Sequence, residues 1–482
     1  MKNEATIEFV GPGVGQALWD GLARLLDPAI FVTLLALLAV SSIPYGTVHP
    51  WWEAVFECTV FALAALWIVD GLHGGTWSVS EHRVLLPLLA LIVFALIQSL
   101  KLWGVTTGRA QAWSADPYET WRVTLKLIAL TLAAALLIRY TSSSRRLRML
   151  IYTIIGIGVA SALFGIARQM GQGDAYISFL PRLWPGRGYA QFINQNHFAF
   201  LMEMALGLVL GILVGGGVPR DRLLIFLAAG VAMAAALVLS NSRGGIFSML
   251  CQLLFLAIMF GVVRSQKEIS GHRSGVYLWL ERFSKSLIGR ALLIVSLLTV
   301  VTVSIAWLGG DQLAQRMETM ERDFSMGSSE LRVNVTRWDM WSATWKSIKD
   351  HPIAGVGFGA YPVAISKYHD GSGDLRPRQA HNDYLDLLAC GGVIGLSLAA
   401  WFIMAIIKKL PGRLRSTDPF RRSACLGAVV GLFGVAVHSL VDFGLHITAN
   451  ALIFTSLVVI AIVNGRGEKG RESNTSVNPN YP

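Results

Sequence analysis

Long apolar runs recur along the whole chain, and they restrict its fold more than any other feature. Each run holds about 18 to 22 residues, enough for an α-helix to cross a hydrocarbon core about 30 Å thick. Hydrophobic residues make up 54% of the 482 residues and charged residues only 15%. A soluble domain of this length would not tolerate that balance. The sequence therefore predicts an all-α polytopic membrane protein.

We predict about twelve transmembrane helices, near 28–46, 51–70, 83–101, 121–139, 149–167, 197–215, 222–240, 244–263, 288–309, 385–407, 423–441 and 447–464. The chain then divides into a cytoplasmic or interfacial N-terminus (1–27), nine helices (28–309), a large loop (310–384), three helices (385–464) and a tail (465–482). A further long loop covers 168–196. The segment 16–26 is typical of a short amphipathic interfacial helix, and no cleavable signal peptide is evident.

Basic residues occupy alternate loops. Arg145 and Arg146 lie in one of them, Arg220 and Arg222 in the next of the same set, and the basic stretch 408–422 in a third. Because Lys and Arg are retained on the cytoplasmic side, both termini are expected in the cytoplasm. The net charge of +11 is then mainly a topology signal. No basic soluble domain is evident that would bind nucleic acid.

Cysteines and histidines are the residue types in this chain that could bind a metal such as zinc. The four cysteines lie far apart, with no Cys-x-x-Cys or Cys/His spacing, so neither a zinc site nor a disulfide framework is predicted. His438, Asp442 and His446 recur every four residues, which predicts that they share one helical face near the outer surface. Two histidines eight residues apart span about 12 Å of helix rise. Hydrogen bonding between helices is therefore favoured over metal ligation.

Two loops are longer than a connection requires, and long loops are often functional. The first contains Arg187, Asn194 and Asn196. The second contains tryptophans at helical spacing, which predict a helix from about Glu330 to Lys349. Glycines at 355, 357 and 359 follow it and predict a tight return toward the membrane.

His381 stands directly before a long apolar helix, at the predicted membrane surface. An imidazole there can take up and release a proton near neutral pH. A histidine that caps a helix end or lies in the headgroup layer is the alternative. Within the apolar spans, Glu203 and Lys126 are costly unless paired, so both are predicted to face inward.

Several arginines fall on the predicted outer face, against the usual orientation of positive charge. Arg243 lies in a very short turn, and Arg187 and Arg337 lie in the two long loops. Guanidinium groups bind phosphate bidentately and keep their proton, which suits a lipid-linked diphosphate. Arginines that extend to ordinary lipid phosphates are the alternative. That alternative suits Arg168 and Arg182 better than Arg243.

Several segments together resemble the O-antigen ligase/polymerase superfamily of bacterial inner-membrane glycosyltransferases. The His-Asn-x-Tyr-Leu segment joined to a Pro-x-x-Gly-x-Gly turn is the most specific part. The segments that carry the resemblance are 192–198, 239–245, 337–341, 351–361, 380–396 and 438–446.

The resemblance implies a GT-C-like fold and a glycan donor on undecaprenyl diphosphate at the periplasmic face. His381 would be the base that deprotonates the acceptor. Arg243, with Arg187 or Arg337, would bind the departing diphosphate, without a metal or cofactor and with inversion at the anomeric carbon. Residues expected to support the site or to contact the acceptor are Asn194, Asn196, Arg332, Arg376, Arg378, Asn382, Tyr384 and Asp442.

The acceptor divides the possible functions. A polymerase of O-antigen or exopolysaccharide repeat units would use a second lipid-linked glycan, and this is the favoured interpretation. A ligase would use lipid A-core. A transporter of polysaccharide or lipid is a competing class, but it would show matching halves and polar groups at the bilayer midplane. A non-enzymatic membrane scaffold is a third possibility.

Overall fold

A computed structural model describes residues 14–74, 82–103, 110–171, 188–264, 337–368 and 377–463, together with Val295 and Thr299. The first eight helices are α1 (Val14–Ser42), α2 (Pro50–Gly74), α3 (Leu86–Ser99), α4 (Pro117–Tyr140), α5 (Ser144–Gly171), α6 (Gln195–Val214), α7 (Leu223–Leu239) and α8 (Arg243–Arg264). The later helices are α9 (Arg337–Asp350), α10 (Tyr361–Ile365), α11 (Asp383–Ile407), α12 (Leu410–Leu414), α13 (Pro419–His438) and α14 (Thr448–Ile462).

The predicted all-α membrane class is confirmed. Within the described ranges, nine helices are long and apolar enough to cross a membrane, and two shorter apolar helices cover Arg243–Met259 and Thr448–Ile462. These coincide with eleven of the predicted spans. The remaining span, 288–309, lies outside the described residues except for Val295 and Thr299, which are helical. The total of twelve and the domain boundaries therefore stay predictions.

Two local features differ from the sequence expectation. Helix α1 runs without interruption from Val14 to Ser42, so the separate interfacial helix at 16–26 is wrong. Asp27 lies within this helix, and its carboxylate is paired with Arg146 of α5. The ion pair offsets the cost of a charged side chain at this position in the helix. Lys101–Trp103 also pairs antiparallel with Ala110–Ala112, which no sequence pattern predicted.

The bundle is centred on α6, which packs along α13. A Cβ on Gly207 would lie 2.5 Å from Gly431 Cα, and one on Gly211 would lie 2.1 Å from Gly427 Cα. Glycines at these positions let the two backbones approach closely, as small residues do between membrane helices. The rest of α6 is also covered, since 83% of the residues in its apolar part are buried.

Helix α11 is broken near its middle, where Gly392 has φ +60°. The segment after α9 fills the break. The amides of Val393 and Ile394 donate to the carbonyls of Pro352 (2.9 Å) and Ile353 (3.1 Å). The predicted tight return is confirmed, since the glycines at 355, 357 and 359 all have positive φ. A broken membrane helix is tolerated where its freed backbone groups are bonded again in this way.

Candidate active site

One end of the bundle gathers the polar groups. The first residues of α6, α8 and α11 and the last residue of α13 lie at this end, with the start of α9 beside them. The connecting turns adopt conformations that are unusual for side-chain-bearing residues: Asn241 has φ +58° and His381 has φ +47°. Left-handed residues of this kind cost free energy and cluster at functional sites.

His381 lies beside the carboxylate of Asp442. Its Nδ1 is 3.4 Å from Asp442 Oδ1, and the exposed fractions of the two side chains are 13% and 1%. The Phe443 ring meets the imidazole edge-on, with centroids 4.6 Å apart. The imidazole is therefore held between a carboxylate and an aromatic ring while part of it stays accessible. A buried carboxylate in this position can orient a histidine and stabilise its protonated form.

A chain of hydrogen bonds joins Asp442 to the turn that carries Arg243. The Asn196 amide nitrogen donates to Asp442 Oδ2, and the Ser242 hydroxyl donates to Asn196 Oδ1 at 2.8 Å. Arg243 follows Ser242 directly and is the first residue of α8. Asn196 thus links the base to the Arg243 turn. The sequence placed Asn196 only among the supporting residues.

Arg337 belongs to the same cluster. It is buried and begins α9, one turn before Trp341. The Trp341 indole donates to the carbonyl of Ala380 at 3.0 Å, which fixes α9 against the residue before His381. Burial opposes ionisation of Asp442, but the hydrogen bond and charge of His381, followed by the charges of Arg337 and His197, lower the Asp442 pKa well below its usual range. Asp442 therefore remains a carboxylate.

The other predicted residues take different positions. Asn194 caps α6 by accepting from the amide of Asn196 at 2.8 Å. Asn382 caps α11 by accepting from the amides of Tyr384 and Leu385, both at 3.0 Å. The Tyr384 hydroxyl donates to the carbonyl of Ala436 at 2.8 Å. These three side chains support backbone geometry rather than an open acceptor surface. Arg378 is exposed, whereas Arg187, Arg332 and Arg376 lie outside the described residues.

The shared helical face predicted for His438, Asp442 and His446 is wrong. Helix α13 ends at His438, because the amides of Val441 and Asp442 both turn back to the His438 carbonyl. His446 lies beyond this turn in a 3-10 turn, Gly444–His446. The three residues therefore face three different partners.

His446 has partners that the sequence gave no reason to connect. Its Nε2 lies 3.5 Å from Asp383 Oδ1 and 3.6 Å from Asp386 Oδ2, both on the first turn of α11. Aspartates at the start of a predicted helix are ordinary N-terminal residues. No pattern in the sequence connects these two aspartates to His446, which follows them by about 60 residues.

The buried charges inside the bundle are paired, as predicted for Glu203 and Lys126. His438 Nδ1 is 2.8 Å from Glu203 Oε1. Lys126 Nζ is 2.7 Å from Glu53 Oε1 and donates to the carbonyl of His446 at 2.8 Å. The snorkelling interpretation of Arg168 is wrong, since its guanidinium is buried and donates to the carbonyl of Ala190. Arg182 lies outside the described residues.

No candidate metal centre is found in the described part of the chain, where no group of three or more His, Cys, Asp or Glu residues has suitable geometry. The four cysteines are free, and three of them are buried.

Comparison with known families gives a direct match for the centre of the chain. The family described as O-antigen ligase matches residues 228–400. The matched region contains the Arg243 turn, Arg337 and His381. Over this range the chain is similar to the O-antigen ligase family, which supports the resemblance to the O-antigen ligase/polymerase superfamily. No curated protein matches the chain.

This match supports a glycosyltransferase of the ligase/polymerase type in O-antigen synthesis, and the matching family implies lipid-linked glycan substrates. Together with the long apolar helices, it identifies a multi-pass membrane protein. Asp442 and Asn196 lie outside the matched range, and their connection to it is given by the tertiary structure alone.

Proposed function

We propose that this protein extends a glycan by transfer from undecaprenyl diphosphate, as a polymerase of O-antigen or exopolysaccharide repeat units. The observation that carries the proposal is the pairing of His381 with the buried carboxylate of Asp442, 3.4 Å away, at the membrane end where the arginine turn lies. The pair lies at one end of the bundle, whereas transporters place their binding groups near the bilayer midplane.

In the proposed reaction, His381 takes the proton from an acceptor hydroxyl as the oxygen forms a bond to the anomeric carbon of the donor. The bond from that carbon to the diphosphate oxygen breaks, and the electron pair leaves with the diphosphate. Asp442 stabilises the imidazolium that forms. A single displacement inverts the anomeric centre. The diphosphate is a good leaving group, so no general acid is required.

Arginines would bind the diphosphate, whose negative charge increases in the transition state. Ser242, the residue before Arg243, is bonded through Asn196 to Asp442, and the charge of Arg337 acts on Asp442. These contacts support the proposal that Arg243 and Arg337 act together with the base. Fixed positive groups of this kind perform the task that a divalent cation performs in other transferases, so the reaction is proposed to be metal-independent.

The proposed site faces the periplasm, in the bacterial inner membrane, with both termini in the cytoplasm. Basic residues concentrate at the opposite end of the bundle. There Arg146 pairs with Asp27, and Arg413 donates to the carbonyl of Ile462 at 2.7 Å. Arg421, in the first turn of α13, donates to the carbonyl of Ile460 at 2.8 Å. The positive-inside rule assigns that end to the cytoplasm.

A ligase that transfers the glycan to lipid A-core is the second candidate, because the matching family is described as O-antigen ligase. The acceptor decides between the two. The purified protein in lipid vesicles would be given a lipid-linked repeat unit, with and without core lipid. A ladder of lipid-linked polymer without core supports the polymerase, and product that forms only on core supports the ligase.

His381→Ala tests the chemistry in the same assay. The variant is expected to accumulate and unfold like the unmodified protein while transfer falls at least a hundredfold. A chelator added to the unmodified protein should leave the rate unchanged. Normal transfer by well-folded His381→Ala protein would refute the assignment of the base.

A further inference from the structure

Beneath the site lies a buried pair that the proposed chemistry does not use. The side chains of His438 and Glu203 have no exposed surface, and their Nδ1 and Oε1 atoms are 2.8 Å apart. The Phe200 ring stacks on the imidazole, with centroids 4.1 Å apart and planes at 12°. Burying a carboxylate is costly unless it is bonded, so this arrangement requires a reason beyond packing.

The pair supports the turn that carries Arg243. A Cβ on Gly244 would lie 2.6 Å from His438 Nε2, and one on Gly245 would lie 3.4 Å from Glu203 Oε1. The imidazole therefore lies tightly against Gly244, whereas Gly245 lies closest to Ala199, with a Cβ there 2.5 Å from Ala199 Cβ and the Glu203 carboxylate next to it. Both members of the pair thus lie beside the first turn of α8.

The same histidine also supports the turn that carries Asp442. The backbone carbonyl of His438 accepts from the amides of Val441 (2.9 Å) and Asp442 (3.1 Å). The ring of His438 therefore lies against the Arg243 turn and is attached to the chain at the point where the Asp442 turn begins, so the position of the ring couples the two turns.

Helix α6 holds the assembly from one side. Asn196, Phe200 and Glu203 are spaced by four and three residues, so they share one helical face. Asn196 bonds to both turns above the pair, Phe200 stacks on His438, and Glu203 bonds to it from below.

We propose that Glu203 and His438 are positioning residues that hold the Arg243 turn and the Asp442 turn at the correct separation, so that the diphosphate site and the base act on one substrate. This rests on the proposed function of His381 and Arg243. Neither side chain touches the substrate; their effect is transmitted through Gly244 and through the turn after α13.

The test uses the full-length protein in lipid vesicles and measures kcat and KM for the lipid-linked donor. His438→Ala is expected to lower kcat at least tenfold with less than a threefold change in KM. His438→Asn, whose amide nitrogen can replace Nδ1 as the donor to Glu203, should recover at least a third of the lost rate. Glu203→Gln keeps an acceptor in the same position and provides a milder variant, expected to lose three- to tenfold in kcat.

Gln252→Met is the matched control. The Gln252 side chain is buried in the same seam and donates to the carbonyls of Glu203 and Val430, both at 3.1 Å, but its described contacts include neither turn. This variant should lower the unfolding temperature without changing kcat of the folded protein. If it lowers kcat as much as His438→Ala, the effect is general softening of the core and the proposal is wrong.

The kcat of folded His438→Ala protein decides whether the positioning role is correct. If His438→Ala does not fold, the kcat of Glu203→Gln is used in its place. A kcat within threefold of the unmodified protein overturns the positioning role. A loss in kcat that His438→Asn restores supports it. Failure of the proposed function is distinct, because it appears as an active His381→Ala variant.

Discussion

Replacement of Asp442 by asparagine separates the charge of this side chain from its shape. Asparagine fills nearly the same space and keeps one oxygen, but it no longer provides a negative charge 3.4 Å from His381 Nδ1. His381 would then take the proton from the hydroxyl of the glycan acceptor, but no carboxylate would stabilise the imidazolium that forms. We expect slower transfer from a protein that still folds.

The size of the effect follows from the distance. Two unit charges 3.4 Å apart interact by about 5 kcal/mol at an effective dielectric constant of 20. Because His381 is accessible to water on one side, about half of that, ~2 to 3 kcal/mol, is a reasonable loss of transition-state stabilisation. Each 1.36 kcal/mol is a factor of ten in rate, so kcat should fall by about 30- to 160-fold.

The assay is single-turnover transfer from a lipid-linked donor by purified protein in vesicles, with product separated on gels. Asp350→Asn is the control, since Asp350 accepts a hydrogen bond from Tyr368 at 2.8 Å in the same extramembrane segment. That variant should transfer at the normal rate. If Asp442→Asn transfers within threefold of the unmodified protein while His381→Ala is inactive, Asp442 does not stabilise the base and the electrostatic reasoning is wrong.

Three further outcomes are expected. Arg243→Lys should lower kcat by about ten- to a hundredfold, because lysine cannot bind a diphosphate bidentately, whereas Arg222→Lys, on the exposed surface at the opposite end of the bundle, should not; equal rates for both would contradict the diphosphate role. Gly392→Ala should lower the free energy of unfolding by about 2 kcal/mol or more, because Gly392 has φ +60° and a Cβ there would lie 2.3 Å from the carbonyl oxygen of Ile353. Gly156→Ala is the control and should cause no such loss, since no atom lies within 4 Å of a Cβ at that position. The unfolding temperature of the unmodified protein should exceed that of Asp442→Asn at neutral pH, and this difference should begin to shrink only below about pH 4, because folding lowers the pKa of the Asp442 carboxyl, whose stabilising effect is present above its unfolded pKa and is lost as pH falls toward its folded pKa. Convergence already at pH 6 would contradict an ionised Asp442.

Local sequence properties were sufficient for the elements of this fold. A stretch such as 195–214 is long, apolar and free of proline, so its helical state in lipid depends little on the rest of the chain. The same holds for the return at Gly355, Gly357 and Gly359, since positive φ is a property of single residues. His381 was a candidate from the sequence as well, because an imidazole at the start of a membrane helix is rare, and its role stays a prediction.

The tertiary contacts between residues far apart in the sequence could not be predicted in this way. Glu203 and Lys126 had to be paired, but nothing local indicated that the partners were His438 and Glu53. Gln98 is a further example: its side chain bonds to the carbonyl of Ala354 at 2.7 Å and to that of Cys390 at 3.0 Å, across the break in α11. It stands inside an ordinary apolar run, where the sequence gave no reason to single it out.

By itself, then, the sequence indicated which segments are long and apolar enough to enter the membrane, predicted from its basic residues the direction in which they cross, and gave the chemical groups available at one end. Only the tertiary structure decided how those groups meet. The periodicity of four residues placed Asp442 on a helix, but α13 ends at His438, and the turn that follows brings the carboxylate to His381 instead. Hydrophobic length is a property of consecutive residues, whereas a contact between residues 61 positions apart depends on how every helix between them and around them packs.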